Sequence, residues 1–350
     1  MIFSMITLVL ILTINFKIDS LASLNQKTSL YNETIDNAVD DSLNTMLEVT
    51  DSFTHQINLK TCSTNFFKSL YAGFDLIDSP TGRVQLSMYV PILVVTDEDG
   101  FYIMYHSVSN DEQYTVKEWT PKMPYCYSNT LKVDSGEATP TIYNYTINFT
   151  MSEVVQINFT KVAGDGTVES YYVDGNYNTL LKENVGNKNY AEIEKFYNAI
   201  RASGEPLSDN RFAKLKKSAM IYQITKKANY YVNRHNSIAE AYGVTYNFTL
   251  PESSMDSFAR TIDDVSMLAM FQGYPYGKGT NDVYTRFSVS GARLFKHGRY
   301  YVFREGDVCY YHRENCDKVK HFDKSKKYEV FNTREQCAQY GAYPCPDCKP

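Results

Sequence analysis

The chain of 350 residues is 43% hydrophobic and 21% charged, the balance of a folded protein and not of a disordered one. That length suits roughly two or three domains, or one large domain with appendages. A formal net charge of −5 and a pI near 5.8 exclude the basic excess that general nucleic-acid binding needs, so no nucleic acid is expected as a partner.

Residues 2–16 form an apolar run closed by Lys17. It falls short of the ~20 residues that cross a bilayer core, although Ile18 and Leu21 extend it. Residues 1–22 are read as a transmembrane anchor; the alternative is a signal peptide cleaved near Ser20-Leu21-Ala22, a small-x-small site. The first reading makes the chain a single-pass cell-membrane protein with its bulk extracytoplasmic, and the second makes it secreted. From residue 21 to residue 51 there is no Gly or Pro, and Leu24, Tyr31, Ile35, Ala38, Val39, Leu43, Met46 and Leu47 fall near helical spacing. Residues 23–58 are therefore expected as a long amphipathic stalk helix, a surface for protein partners or self-assembly.

Residues 59–298 are expected as an α+β globular domain. Residues 63–76 read as a short helix carrying Phe66, Phe67, Leu70 and Tyr71. Residues 84–96 and 101–105 read as a hairpin around a turn at 97–100, with Gly100 where φ > 0 is wanted. Asp97, Glu98 and Asp99 lack EF-hand spacing and are read as a solvated turn. Residues 143–172 alternate and predict further strands. Helices are expected at 189–202 and at 209–242, the second N-capped by Asp209 and stopped by Gly243, with His235 a core histidine and no ligand. The continuous apolar run at 261–271 reads as a buried helix, with Asp263 and Asp264 as charges at its start. Strands at 286–289 and 300–303 lead into the C-terminal stretch.

Residues 299–350 hold the only motif that names its own chemistry. His312 and Cys316 form H-x3-C, and Cys345 and Cys348 form C-x2-C about thirty residues later. One imidazole and three thiolates are a ligand set for Zn2+ in a closed structural site. Cys309 or His321 could replace His312, and a metal-free state, reduced or disulfide-bonded, is the other alternative. Cys62, Cys126, Cys309 and Cys337 remain, as two disulfides or four buried thiols, with Cys62–Cys126 the pair considered. There is no HExxH helix, GxSxG elbow or phosphate-binding glycine loop, and no catalytic residue is assigned.

The segments YHRENC (311–316) and GAYPCPDCKP (341–350) resemble the zinc-binding domain of the bacterial Ada DNA-repair methyltransferase and related Ada-like modules. Carried over, the resemblance implies His312, Cys316, Cys345 and Cys348 as ligands. It also implies a short helix at 332–338, capped by Asn332 or Thr333 and ended by Gly341. In the methyltransferase the first ligand is a methyl-accepting cysteine; here it is His312, which cannot serve as the activated thiolate. The implied role is a structural clip. More loosely, the stretches at 29–42, 89–105, 119–125, 261–277 and 337–350 resemble a group of uncharacterised membrane-anchored proteins of low-GC Gram-positive bacteria. An apolar N-terminal helix on a globular head is also similar to pilin-like subunits, although their glycine-type cleavage site and the glutamate after it are absent. The resulting expectation is a non-enzymatic, membrane-anchored structural or assembly protein, of a pilus-like or secretion apparatus. An extracytoplasmic ligand-binding sensor and a secreted enzyme without recognisable motif are the alternatives.

Overall fold

The computed structural model describes residues 2–49, 55–108, 115–133, 140–203, 212–250, 264–276, 283–292, 300–313, 316–322, 327–331 and 334–348, with side chains of the first helix from residue 13. The fold is mixed α+β. Helix α1 (Ile2–Met46) is one continuous element, as a stretch without Gly or Pro allows. Strands β1 (Leu47–Val49) and β2 (His55–Ile57) pair antiparallel and return the chain to α2 (Leu59–Gly73), which Asn58 caps by accepting from the Thr61 amide at 3.0 Å. Helix α3 (Pro80–Ser87) starts with the Ser79 cap and Pro80 at its first turn.

One antiparallel nine-stranded sheet organises the domain, in the order β11-β10-β3-β4-β6-β7-β8-β9, with β5 also paired to β4. Its strands are β3 (Ile92–Asp97), β4 (Gly100–Val108), β5 (Thr115–Trp119), β6 (Met123–Val133), β7 (Thr141–Phe149), β8 (Val154–Val162), β9 (Val168–Asn176), β10 (Val265–Pro275) and β11 (Val283–Ala292). Between β9 and β10 the chain forms α4 (Leu180–Glu183), α5 (Tyr190–Ala202) and α6 (Phe212–Ala241). On α5, Phe196 stacks on Phe159 of β8 at 4.1 Å and touches Tyr143 and Tyr145 of β7. This face accounts for the alternation read at 143–172. Gly243, at φ +80, closes α6 as expected, with the Val244 amide reaching back to the Ala239 carbonyl; Asp209 lies outside the described residues. A second, four-stranded sheet belongs to the C-terminal stretch, built in spatial order from β14 (Glu329–Phe331), β12 (Tyr300–Glu305), β13 (Val308–Arg313) and β15 (Tyr343–Pro344).

Several expectations are corrected. The helix read over 23–58 ends at Met46, and its second half is no stalk: Ile35, Ala38, Val39, Leu43 and Met46 are fully buried. Tyr31 stacks on Phe74 at 4.6 Å, and Asp36 pairs with Arg286 of β11. Ahead of Tyr31 on α1, Ile14, Phe16, Ile18 and Leu21 are exposed. Among the described residues no helix is long and apolar enough to cross a membrane. Residues 84–87 are helical, because the Ser79-Pro80 start signal governs them, so the hairpin begins only at Ile92. Gly100 is not in the left-handed region; it is required because a Cβ there would come within 2.6 Å of the Met123 carbonyl oxygen on β6.

The described part of the run at 261–271 is not a helix. From Val265 it is strand β10, hydrogen-bonded between β3 and β11, with nine successive positions buried. Because both faces of β10 are covered, the alternation that marks a half-exposed strand is missing, and periodicity cannot separate it from a buried helix. Asp263 lies outside the described residues, and Asp264 directly precedes the strand.

At the β10 bulge, Gly273 has φ +73, and a Cβ there would fall 2.1 Å from the Tyr246 ring. Gly273→Ala is therefore expected to cost about 3 kcal/mol, combining left-handed strain with overpacking. Urea denaturation followed through Trp119, the single tryptophan, measures it, and an unchanged midpoint contradicts the packing described.

None of the seven cysteines is in a disulfide. Cys62 and Cys126 do not pair: Cys62 is buried with its Sγ 3.6 Å from Met267 Sδ of β10, while Cys126 is half-buried on β6.

Candidate metal centre

Strands β12 (Tyr300–Glu305) and β13 (Val308–Arg313) form an antiparallel hairpin around Gly306, which takes φ +65. Tyr301 pairs with His312, and Glu305 with Val308. Beyond β13 the chain turns so that the Cys316 amide donates to the Arg313 carbonyl at 3.0 Å, and Cys316 opens the short helix α7 (Asp317–Lys320). His312 and Cys316 thereby face one point from the end of a strand and the start of a helix.

The second pair arrives from the other side. Strand β14 (Glu329–Phe331) pairs with β12, and α8 (Arg334–Gln339) follows, the short helix expected between the two pairs. Gly341, at φ +86, ends it as read, while Asn332 and Thr333 lie outside the described residues. Strand β15 (Tyr343–Pro344) then pairs parallel with β13, and the Cys345 amide donates to the Tyr311 carbonyl at 3.0 Å. This docking sets Cys345 beside His312.

His312, Cys316, Cys345 and Cys348 consequently form a group that could hold a metal ion, every ligand atom within 4.8 Å of the others. His312, Cys316 and Cys345 are buried and Cys348 is half-buried. His312 Nδ1 lies 3.6 Å from Cys316 Sγ. A tetrahedral ion with bonds of ~2.3 Å to sulfur and ~2.0 Å to nitrogen would separate these atoms by about 3.6 Å. The donor set fits such an ion.

The other ring nitrogen supplies a second test. His312 Nε2 and Glu305 Oε1 are buried, lie 3.2 Å apart and have no hydrogen-bond partner. With Nδ1 directed at the cysteines, the ring proton sits on Nε2 beside this carboxylate, the usual support of a metal-binding imidazole. Phe303 lies parallel to the His312 ring at 4.2 Å and fixes its plane. Lys318 bridges Glu305 at 2.6 Å and Asp347 at 2.9 Å, tying the two halves of the site together.

Burial holds the His312 pKa below its ordinary value, which keeps the imidazole neutral as ligation requires. Burial, helped by the neighbouring thiols of Cys316 and Cys345, pushes the Cys348 thiol up to about 11. That thiol resists ionisation unless a cation shares the space.

The residues considered as substitutes stay outside the group. Cys309 is three positions from His312 on β13, hence on the opposite strand face, and packs beside the small apolar cluster of Tyr300, Val302, Tyr311, Cys337 and Ala342. His321 is exposed beyond α7. Cys337 is fully buried in that cluster, which pushes its thiol up to about 12. Glu305, Phe303 and Lys318 were missed by sequence reasoning, since only the hairpin register brings them to the ligands.

No protein-family model, curated protein or solved structure matches the chain. Of the Ada-like resemblance, the clustered His/Cys3 group is what is established.

Proposed function

We propose that His312, Cys316, Cys345 and Cys348 bind a structural Zn2+ ion, and that the chain is a non-enzymatic, membrane-anchored structural or assembly protein with its bulk extracytoplasmic. One observation carries the zinc assignment: an imidazole and three sulfurs converge at tetrahedral spacing. That donor set favours zinc over hard cations, and four protein ligands leave no open position for water or substrate. The module is thus a clip that holds residues 300–348 in one shape and presents them for recognition. Having His312 where the resembling methyltransferases carry an alkyl-accepting thiol also argues against methyl transfer.

Support for anchoring comes from the apolar run at residues 2–16, which heads α1, and from the exposed apolar side chains Ile14 and Phe16 at its end and Ile18 and Leu21 just beyond it. The part of α1 before Tyr31 is then the surface offered to partners or to further copies of the chain. The full chain is expected in the membrane fraction, and a chain lacking residues 1–22 outside it. Recovery of the intact full chain as soluble monomer overturns the anchor.

Glu305→Gln is expected to weaken zinc binding by about 10- to 100-fold in chelator competition, through loss of the charged partner of His312 Nε2. Unchanged affinity contradicts the role given to Glu305.

A further inference from the structure

We propose that a recess formed by α2, α3 and β5 binds an organic phosphate, with its phosphoryl group among Lys60, Lys68, Arg83 and Lys117 and its apolar part on Phe67 and Ile77. The recess is independent of the zinc module. Its volume is about 570 Å³, within the range of small-molecule sites. Most of its wall is one helical face: Lys60, Ser63, Thr64, Phe67, Lys68 and Tyr71 recur along α2 at the spacing that brings side chains together. Arg83 comes from α3, Ile77 from the connection between the helices, and Lys117 from β5.

Charge identifies the ligand class. Four of the nine lining residues are cations and none is an acid. Several lysines elsewhere do have carboxylates: Lys122 meets Asp97 and Asp99, Lys161 and Lys195 share Glu192, and Lys318 meets Glu305 and Asp347. Among the described residues, none of the four recess cations has an ion pair. Glu118, next to Lys117, accepts from Tyr105 Oη at 3.0 Å, and Asp41 of α1 accepts from Ser69 Oγ at 2.9 Å. Lys117 instead places its ammonium 4.4 Å from the Phe67 ring centroid, and desolvation in the recess lowers its pKa. Like charges gathered without counter-charge repel, and an anion bound between them relieves that repulsion.

Phosphate suits the site better than a single carboxylate because it carries up to two charges and several acceptor oxygens, which an arginine fork and lysines satisfy together. The hydroxyl of Thr64 adds a neutral donor. A bare phosphate would leave Ile77 and the half-buried Tyr71 wet, whereas a ring or short chain attached to it would cover them.

Trp119, whose Nε1–H donates to Ser63 Oγ at 3.3 Å, stands next to the recess and reports its occupancy. The full chain, in detergent, is titrated at constant ionic strength with phenyl phosphate, inorganic phosphate and dihexanoyl phosphatidic acid below its micelle concentration. Saturable Trp119 responses and raised melting temperatures are expected for both esters, with inorganic phosphate about tenfold weaker or more. Tighter phosphatidic acid assigns a lipid headgroup as the source, tighter phenyl phosphate a soluble ester; either supports the site. Lys117→Gln and Arg83→Gln should each weaken binding by about tenfold or more, while Lys227→Gln on α6 leaves it unchanged. Equal effects from all three variants, equal affinity for inorganic phosphate, or no saturable response would overturn the proposal.

Discussion

Serine at Cys316 or at Cys345 is expected to unfold residues 300–348 and to leave the nine-stranded domain folded. Both cysteines are buried within the ligand group. The module has little else to hold it: its apolar cluster is Tyr300, Val302, Tyr311, Cys337 and Ala342, with Cys309 and Phe331 beside them. A stretch of this size cannot bury enough apolar surface to offset its conformational entropy without a staple. Structural zinc supplies roughly 10–16 kcal/mol in small modules of this kind, so losing one thiolate removes most of the driving force. Limited proteolysis should cut the variants, and the chelated wild type, within 300–348, while the urea transition of Trp119 keeps its midpoint. Wild-type resistance in both serine variants would show that the module folds without the ligands.

Acidification from pH 6.5 to 4 is expected to destabilise the main domain by on the order of 3 kcal/mol through His235 alone. His235 of α6 is buried, with Nε2 2.7 Å from the Met88 carbonyl oxygen and its ring face near Phe248. His106 of β4 lies beside it, ring centroids 4.8 Å apart, with Nε2 3.1 Å from the Val90 carbonyl oxygen. Each Nε2 donates its proton to a carbonyl, and each Nδ1 is buried without a partner. A second proton on either ring would bury a charge. Burial lowers His235 to about 4; burial, then His235 and Lys117, hold His106 well below its ordinary value. Because these folded values lie below the unfolded value of about 6.5, the unfolded chain takes up protons first as pH falls. Stability from the pair is therefore complete above pH 6.5 and lost progressively below it. Urea midpoints read through Trp119 at pH 7.5 and 4.5 should fall steeply in wild type and less in His106→Leu/His235→Leu. Equal slopes would show that carboxylates alone set the acid sensitivity.

The parts of the fold legible in the sequence are those where one physical signal acts alone. Strands β7 to β9 alternate because one face packs on α5, and α6 carries its stripe between a run of helix formers and Gly243. The ligand group was legible because H-x3-C and C-x2-C are local geometries, each needing only a turn or a short helix to converge. Strand β10 was not, since cover on both faces erases its period. The core role of α1 was also hidden: a stripe of Ile35, Val39, Leu43 and Met46 looks the same on a stalk and on a docked helix. Glu305 behind His312 and Lys117 over Phe67 depend on pairings between strands and helices far apart in the chain, which no local pattern encodes.

The most direct test is the metal content of the purified full chain, measured together with its reactive thiols. One zinc per chain is expected, absent or reduced in His312→Ala and Cys345→Ser, with Cys316, Cys345 and Cys348 protected from thiol reagents until a chelator is added. A chain free of metal, with these three thiols reactive from the start and the C-terminal module still protease-resistant, would contradict the account.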